Sequence, residues 1–268
     1  MKDYTLKYGK GSVTFALDEA HVTELYGTPV PKIEDIRAAL YATLSSPVSH
    51  EPLESWVNPE DKVALIVSDM SRFWMRQDLV VPHIISYQTD KCDVNQNNIT
   101  IIIANGTHPG GDENELRTLV TDGVYDRIRV VNHDCQAKGL VYIGTTSLGT
   151  EVRINPIAAN ADKAIMLGAC TYHVTAGQCG GRKSILPGIS GLETIRQNHL
   201  HSLDLLAPRS NPLIGNGVTD GNPLNEDMCQ AAAMVKNLFG INLVTNADMQ
   251  LAHIISGDPM KAWQLACH

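Results

Sequence analysis

No stretch of the 268 residues is apolar for long enough to cross a bilayer. The longest runs, Val63–Val67 and Ile99–Ala104, fall far short of the roughly 20 residues a spanning helix needs. Basic residues are also in deficit, 21 against 29 acidic, for a formal net charge of -8. That balance excludes general nucleic-acid binding, which needs a cationic excess to neutralise phosphates. The opening Met1-Lys2-Asp3-Tyr4 has no apolar core of signal-peptide length. The six cysteines lack the dense spacing of a small secreted scaffold and read as reduced thiols in a cytoplasmic protein. Internal repeats and low-complexity tracts are missing as well. What remains is an ordinary folding composition, 43% hydrophobic and 19% charged, long enough for one large domain or two small ones.

Residues 1–60 read as an irregular entry region packed on a main domain over 61–268. Gly9-Lys10-Gly11 punctuates a hairpin of Thr5–Tyr8 and Val13–Ala16, and a helix is expected over Ile33–Leu44. Beyond residue 60, continuous apolar runs at Val63–Val67, Ile99–Ala104 and Ala164–Leu167 suit strands covered on both faces. Helical stretches at Leu79–Tyr87, Glu113–Val120, Leu192–Ser202, Glu226–Leu238 and Pro259–Ala266 separate these runs from further strands at Arg127–Val131 and Ile241–Thr245. Val141–Ile143 and Val152–Ile154 form a short hairpin excursion. This alternation predicts an α/β fold, a mainly parallel Rossmann-like sheet flanked by helices, with a small irregular or β entry region.

The polar residues fall at the strand ends. Ser68-Asp69-Met70-Ser71-Arg72 follows the first buried run and Asn105-Gly106-Thr107-His108 the second. Asn132-His133-Asp134 and Cys170-Thr171-Tyr172-His173 follow two more. Ligands of open parallel sheets bind outside the carboxyl ends of the strands, so four such ends in succession predict a catalytic rim. Each residue also has a plainer reading. Asp69 serves equally well as a helix cap, Arg72 as a surface guanidinium, and His133 reads as a buried histidine without chemistry.

Tyr172 through Gly188 is the most informative stretch. Its glycine-rich loop into Arg182-Lys183-Ser184 can offer backbone N–H groups and two cations to a phosphate. Gly177, Lys183 and Ser184 match P-loop spacing, but Arg182 replaces the second glycine and Pro187 follows too soon for a long helix. A nucleotide-dependent hydrolase or kinase using Gly177–Ser184 is therefore the weaker alternative. Ordinary NAD binding lacks its G-x-G-x-x-G, and the Cys170, His173 and Cys179 spacing lacks the second half of a structural zinc site. Ser190-Gly191-Leu192-Glu193 has the form of a capping box. The helix after it puts His199 on the apolar face with Leu192 and Ile195, as a core residue or as a ligand.

These segments resemble the N-terminal domain of the lactate racemase family, enzymes that use a nickel-pincer nucleotide. The likeness runs from about Lys62 to Cys267. It rests on Asn105-Gly106-Thr107-His108, Asn132-His133-Asp134, Gly177 to Gly188, Asn198-His199 and Gly221-Asn222-Pro223-Leu224-x-x-Asp227-Met228. The resemblance implies a racemase or epimerase of 2-hydroxy acids working by reversible hydride transfer. Lys183 would carry the cofactor through a covalent thioamide, with Gly180, Gly181, Arg182 and Ser184 around it. His199 would ligate nickel, His108 and His173 would be the acid/base pair, and Arg72 with Asp69 would hold the substrate carboxylate. Cofactor-building proteins are the implied partners.

Two departures shape the expectation. Phe73-Trp74-Met75-Arg76 follows the substrate arginine, which points to Trp74 and Arg76 fitting a hydroxy acid other than lactate. The family's C-terminal domain has no counterpart in these 268 residues, which leaves a non-catalytic cofactor-binding domain as a further reading.

Overall fold

Alternating threonine, aromatic and aliphatic residues open the chain as a hairpin, β1 (Lys2–Tyr8) against β2 (Gly11–Leu17). Tyr4 stacks on Phe15 and the Thr5 and Thr14 hydroxyls meet at 2.8 Å, a cross-strand ladder on an otherwise exposed ribbon. The structure, a computed structural model, describes residues 1–9, 11–25 and 27–268, so Lys10 in the expected turn lies outside the described residues. The chain divides into two units, Met1–Val30, which holds this hairpin, and Pro31–His268.

The larger unit begins with α1 (Ile36–Ser45), capped by Asp35, whose carboxylate accepts from the Ala38 N–H. There follow β3 (Val63–Ser68), α2 (Val81–Asp90), β4 (Ile99–Ala104), α3 (Glu113–Val120) and β5 (Arg129–Asn132). An antiparallel pair, β6 (Val141–Thr145) and β7 (Glu151–Ile154), interrupts before β8 (Lys163–Ala169). The chain continues through α4 (Leu192–Leu200), α5 (Pro223–Ala233), β9 (Leu238–Thr245), β10 (Leu251–Gly257) and α6 (Pro259–Cys267).

Six strands form the central sheet in the order β10-β9-β8-β3-β4-β5, parallel except for the antiparallel edge β10. Strand periodicity sorts their side chains into two cores. Leu65, Val67, Ile101 and Ile103 pack with Leu40, Ile84 and Leu119 on one face. Ala64, Ile66, Ile102 and Met166 pack with Ile185, Ile195 and Met228 on the other. Both faces are covered, which is why these strands read as unbroken apolar runs. The chain runs outward from β3 to β4 and β5, then returns to β8 on the opposite side of β3. That reversal is the topological switch point, and it fixes where a site belongs.

Two local expectations change. Ser190 does not cap α4: Gly191 holds the cap position, and the Ser190 hydroxyl donates to the Ile185 carbonyl. The capping box is instead at Asp112, which accepts from the Glu115 N–H while Glu115 accepts from its own. The expected helix over Glu226–Leu238 begins earlier, at Pro223 behind the Asn222 cap. It stops at Ala233, so Leu238 already belongs to β9.

Candidate active site at the sheet switch point

A cleft of about 260 Å³ opens at the carboxyl ends of β3, β4 and β8. Asp69 and Arg72 reach it from the short 3-10 helix after β3, and His108 from the turn after β4. His173 and Lys183 enter from the loops after β8, and His199 from α4.

Asp69 caps nothing. Its Oδ2 lies 2.5 Å from His108 Nδ1, and its Oδ1 accepts from the Ser71 hydroxyl at 2.6 Å. A carboxylate at Nδ1 puts the ring hydrogen there and leaves Nε2 as the free basic nitrogen. Asp69 is 8% exposed, whereas the His108 side chain is half open to solvent. Arg72 donates from Nη1 to the Ser71 carbonyl and hydroxyl at 3.3 and 3.2 Å. It has no ion pair among the described residues, so its fork remains available to a carboxylate.

Lys183 Nζ lies 2.9 Å from His173 Nε2. Burial, with the Arg182 and Arg72 cations beside it, lowers the Lys183 amine to about 8. Burial chiefly, with Lys183, Arg72 and Arg182 nearby, holds His173 down to about 4. Arg72 is the guanidinium that lines the cleft, and it suits an anionic group. Among the described residues no group of three or more His, Cys, Asp or Glu side chains could hold a metal ion by itself. His199 Nδ1 sits 2.9 Å from the Ile195 carbonyl, which must accept its hydrogen and leaves the Nε2 lone pair free.

Gly180 and Ser184 line the cleft, but Gly181 and Arg182 do not. Arg182 is fully buried and donates to the carbonyls of Ala176, Gln178, Cys179 and Gly180 and to Asn225 Oδ1. Its guanidinium stacks 3.8 Å from the Trp263 ring centre. The loop therefore folds around its own arginine and turns carbonyls inward, the reverse of a phosphate cradle. The helical turn Gly181–Ser184 ends before Pro187, and no long helix starts there. Both observations disfavour the nucleotide-hydrolase alternative.

Trp74 lines the cleft, while Arg76 turns aside to a bidentate pair with Asp78 at 3.1 and 2.9 Å. His133 is 3% exposed, with its Nε2 2.9 Å from the Ser190 carbonyl and Nδ1 facing the Asn155 amide, a structural histidine. Sequence reasoning gave no task to Asp227, fully buried with no lysine or arginine partner among the described residues and with His201 Nε2 3.9 Å away. Its carboxylate accepts from the Thr146 and Thr150 hydroxyls and from Asn198 Nδ2 at 2.9 Å, anchoring the residue before His199. Asn242 was also missed; its Oδ1 accepts from the Gly181 N–H at 3.0 Å. Asp227 lies inside the Gly221–Met228 motif, so the pattern flagged the place though not the task.

Two histidines, a buried lysine and an arginine with no ion pair among the described residues line one cleft at a parallel-sheet switch point, a candidate small-molecule site in an α/β protein. Residues 8–209 match the lactate racemase N-terminal domain, and the chain belongs to that family. It is 26% identical to a lactate racemase of Thermoanaerobacterium thermosaccharolyticum, over all of this chain and 62% of that protein. It is 27% identical to one of Lactiplantibacillus plantarum, over 98% of this chain and 61% of that protein. The chain thus spans about three-fifths of the length of these curated relatives. The apoprotein structure of the Thermoanaerobacterium enzyme superposes with a TM-score of 0.86 at 25% identity, covering 99% of this chain and 61% of the other. A Thermotoga maritima protein shares the fold at a TM-score of 0.66 and 19% identity, over 91% and 60%. No helix among the described residues is long and apolar enough to cross a membrane.

Proposed function

We propose that this chain is the cofactor- and substrate-binding part of a 2-hydroxy acid racemase or epimerase that uses a nickel-pincer nucleotide. One observation carries the reading: Arg72, the His108–Asp69 pair, His173, Lys183 and His199 line a single cleft. Arg72 binds the substrate carboxylate in a two-pronged contact, and His108 Nε2 takes the hydroxyl proton while Asp69 stabilises the charged ring. His173 is the second proton-transfer residue of the pair.

The residues present fit the cofactor. Lys183 would supply the amine for a thioamide tether, and His199 Nε2, left free by the Nδ1 contact with the Ile195 carbonyl, would supply one nitrogen to nickel. The cofactor, when bound, provides the hydride acceptor that a weakly acidic C–H bond requires. Gly180 and Ser184 line the cleft beside Lys183 and would border the tether, while Arg182 braces the loop from inside. Trp74 bounds the space for the substrate side chain and favours a hydroxy acid other than lactate. All six cysteines are free, in keeping with a cytoplasmic protein whose partners are the cofactor-building enzymes.

The test is intact mass after co-production with those enzymes and nickel, beside a lactate racemase loaded in parallel. The expected result is an adduct of cofactor mass on the Lys183 peptide. A bare chain beside a loaded control overturns the reading.

A further inference from the structure

His173 has two nitrogens, and the structure accounts for both. Nδ1 faces the backbone N–H of Ala176 at 3.1 Å and of Thr175 at 3.3 Å, with the Thr175 hydroxyl also at 3.3 Å. A backbone N–H only donates, so Nδ1 must accept. That excludes the imidazolium, whose nitrogens both donate, and puts the single ring hydrogen on Nε2. Nε2 in turn lies 2.9 Å from Lys183 Nζ. An ammonium has donors and no acceptor, and two donors cannot share a hydrogen bond. The lysine at the other end is therefore a free amine, accepting from Nε2–H.

The surroundings agree. The charged and titratable groups facing Lys183 are Arg72 from the turn after β3, Arg182 and Cys179 from its own loop, His173, and His199 from α4. None is a carboxylate; of these groups only the Cys179 sulfur favours a positive charge on the lysine, and burial with Arg182 and Arg72 outweighs it.

We propose that His173, fixed as its Nε2–H tautomer by the Thr175–Ala176 turn, is a positioning residue that favours the unprotonated, nucleophilic form of the Lys183 amine. It rests on the proposed function only for what the amine is for. His108 is fixed the opposite way, with its hydrogen on Nδ1 toward Asp69. The two histidines of the cleft are thus inequivalent in the unmodified chain: His108 presents a base, and His173 presents a donor to the lysine. His173 is free to serve a substrate only once Lys183 has been acylated.

Two measurements on the cofactor-free chain test this. Long-range proton–nitrogen correlation spectra read the tautomers directly: His173 is expected as Nε2–H and His108 as Nδ1–H. An Nδ1–H His173 overturns the proposal. Trace acetylation with acetic anhydride across a pH series, resolved by peptide mass, reads the amine. The Nζ lone pair forms the new N–C bond, acetate leaves with the electrons of the broken C–O bond, and the proton passes to water. With each lysine normalised to its own high-pH rate, Lys183 is expected to reach its midpoint near pH 8. His173→Ala should move that midpoint up and cut normalised labelling at pH 7.5 by about tenfold or more. His173→Gln, which keeps an N–H donor, should restore part of it. An unchanged or lowered midpoint in His173→Ala means that the lysine is the donor, and overturns the proposal. No cofactor enters either measurement. A reactive Lys183 in a chain that never takes up the cofactor would sink the proposed function and leave this inference standing.

Discussion

The Asp69 carboxylate lies 2.5 Å from His108 Nδ1 across the gap between the ends of β3 and β4, neighbours in the sheet. The pair gives His108 what an exposed histidine lacks: one tautomer, one orientation and a countercharge when it takes a proton. Asp69→Asn keeps the shape but offers an amide N–H to Nδ1, which moves the ring hydrogen to Nε2 and removes the base. On the proposed function, this should lower kcat for hydroxy acid racemisation by about 10²–10⁴ with little change in KM, measured in a cofactor-loaded form that turns over. A kcat within a few-fold of the unsubstituted chain would show that Asp69 serves only the turn.

How much of this was legible in the sequence follows from how each signal is encoded. Buried parallel strands announce themselves as apolar runs, so Ile99–Ala104 has the predicted bounds and His108 falls at the strand end. The edge strand Leu251–Gly257 escaped notice because only its ends are buried, while His253 faces solvent and breaks the run. Arg182 looked like a ligand cation because sequence cannot show that four carbonyls of its own loop would converge on it. Asp227 and Asn242 act through partners far away in the chain, and no spacing rule reaches those.

Arg182 gives the second prediction. Its fork satisfies several buried carbonyls at once, and a lysine has neither the reach nor the plane to do so. Arg182→Lys should therefore destabilise the fold by about 3 kcal/mol or more, through unpaired buried carbonyls and the lost contact with Trp263. The check is a urea denaturation curve, whose midpoint should fall by about 1 M or more. An unchanged midpoint would mean that the carbonyls are satisfied without the guanidinium.

Gly188 ties two site loops together. Its N–H donates to the Lys183 carbonyl at 3.0 Å, and its carbonyl accepts from the Gly106 N–H, two residues before His108. A Cβ there would lie 2.2 Å from the Ser184 carbonyl oxygen and 2.9 Å from Ala104 Cβ. Gly188→Ala should cost about 1–3 kcal/mol and broaden or shift the His108 resonances. Gly123→Ala, in a helical turn with nothing within 4 Å of the new methyl, is the control. It should be neutral or stabilise by up to about 1 kcal/mol. Equal losses in the two variants would refute the packing argument.

Acid should weaken the fold in a definite window. Burial holds His133 below the ordinary histidine value of about 6.5, and burial with neighbouring cations takes His173 down to about 4. Above pH 6.5 these rings are neutral in both folded and unfolded chains, and stability does not depend on them. Between 6.5 and about 4 the unfolded chain binds protons that the folded chain refuses, so stability falls as the pH is lowered through that range. The melting temperature should be level from pH 8 to 7 and drop progressively from 6.5 to 4.5, by about 2–4 °C for each kcal/mol lost. His133→Asn should melt lower at pH 7.5 yet show a shallower drop, because one refused proton has gone. A slope as steep as that of the unsubstituted chain would mean that His133 is protonated in the folded protein and that its ring is paired differently from the Ser190 carbonyl and Asn155 amide seen here.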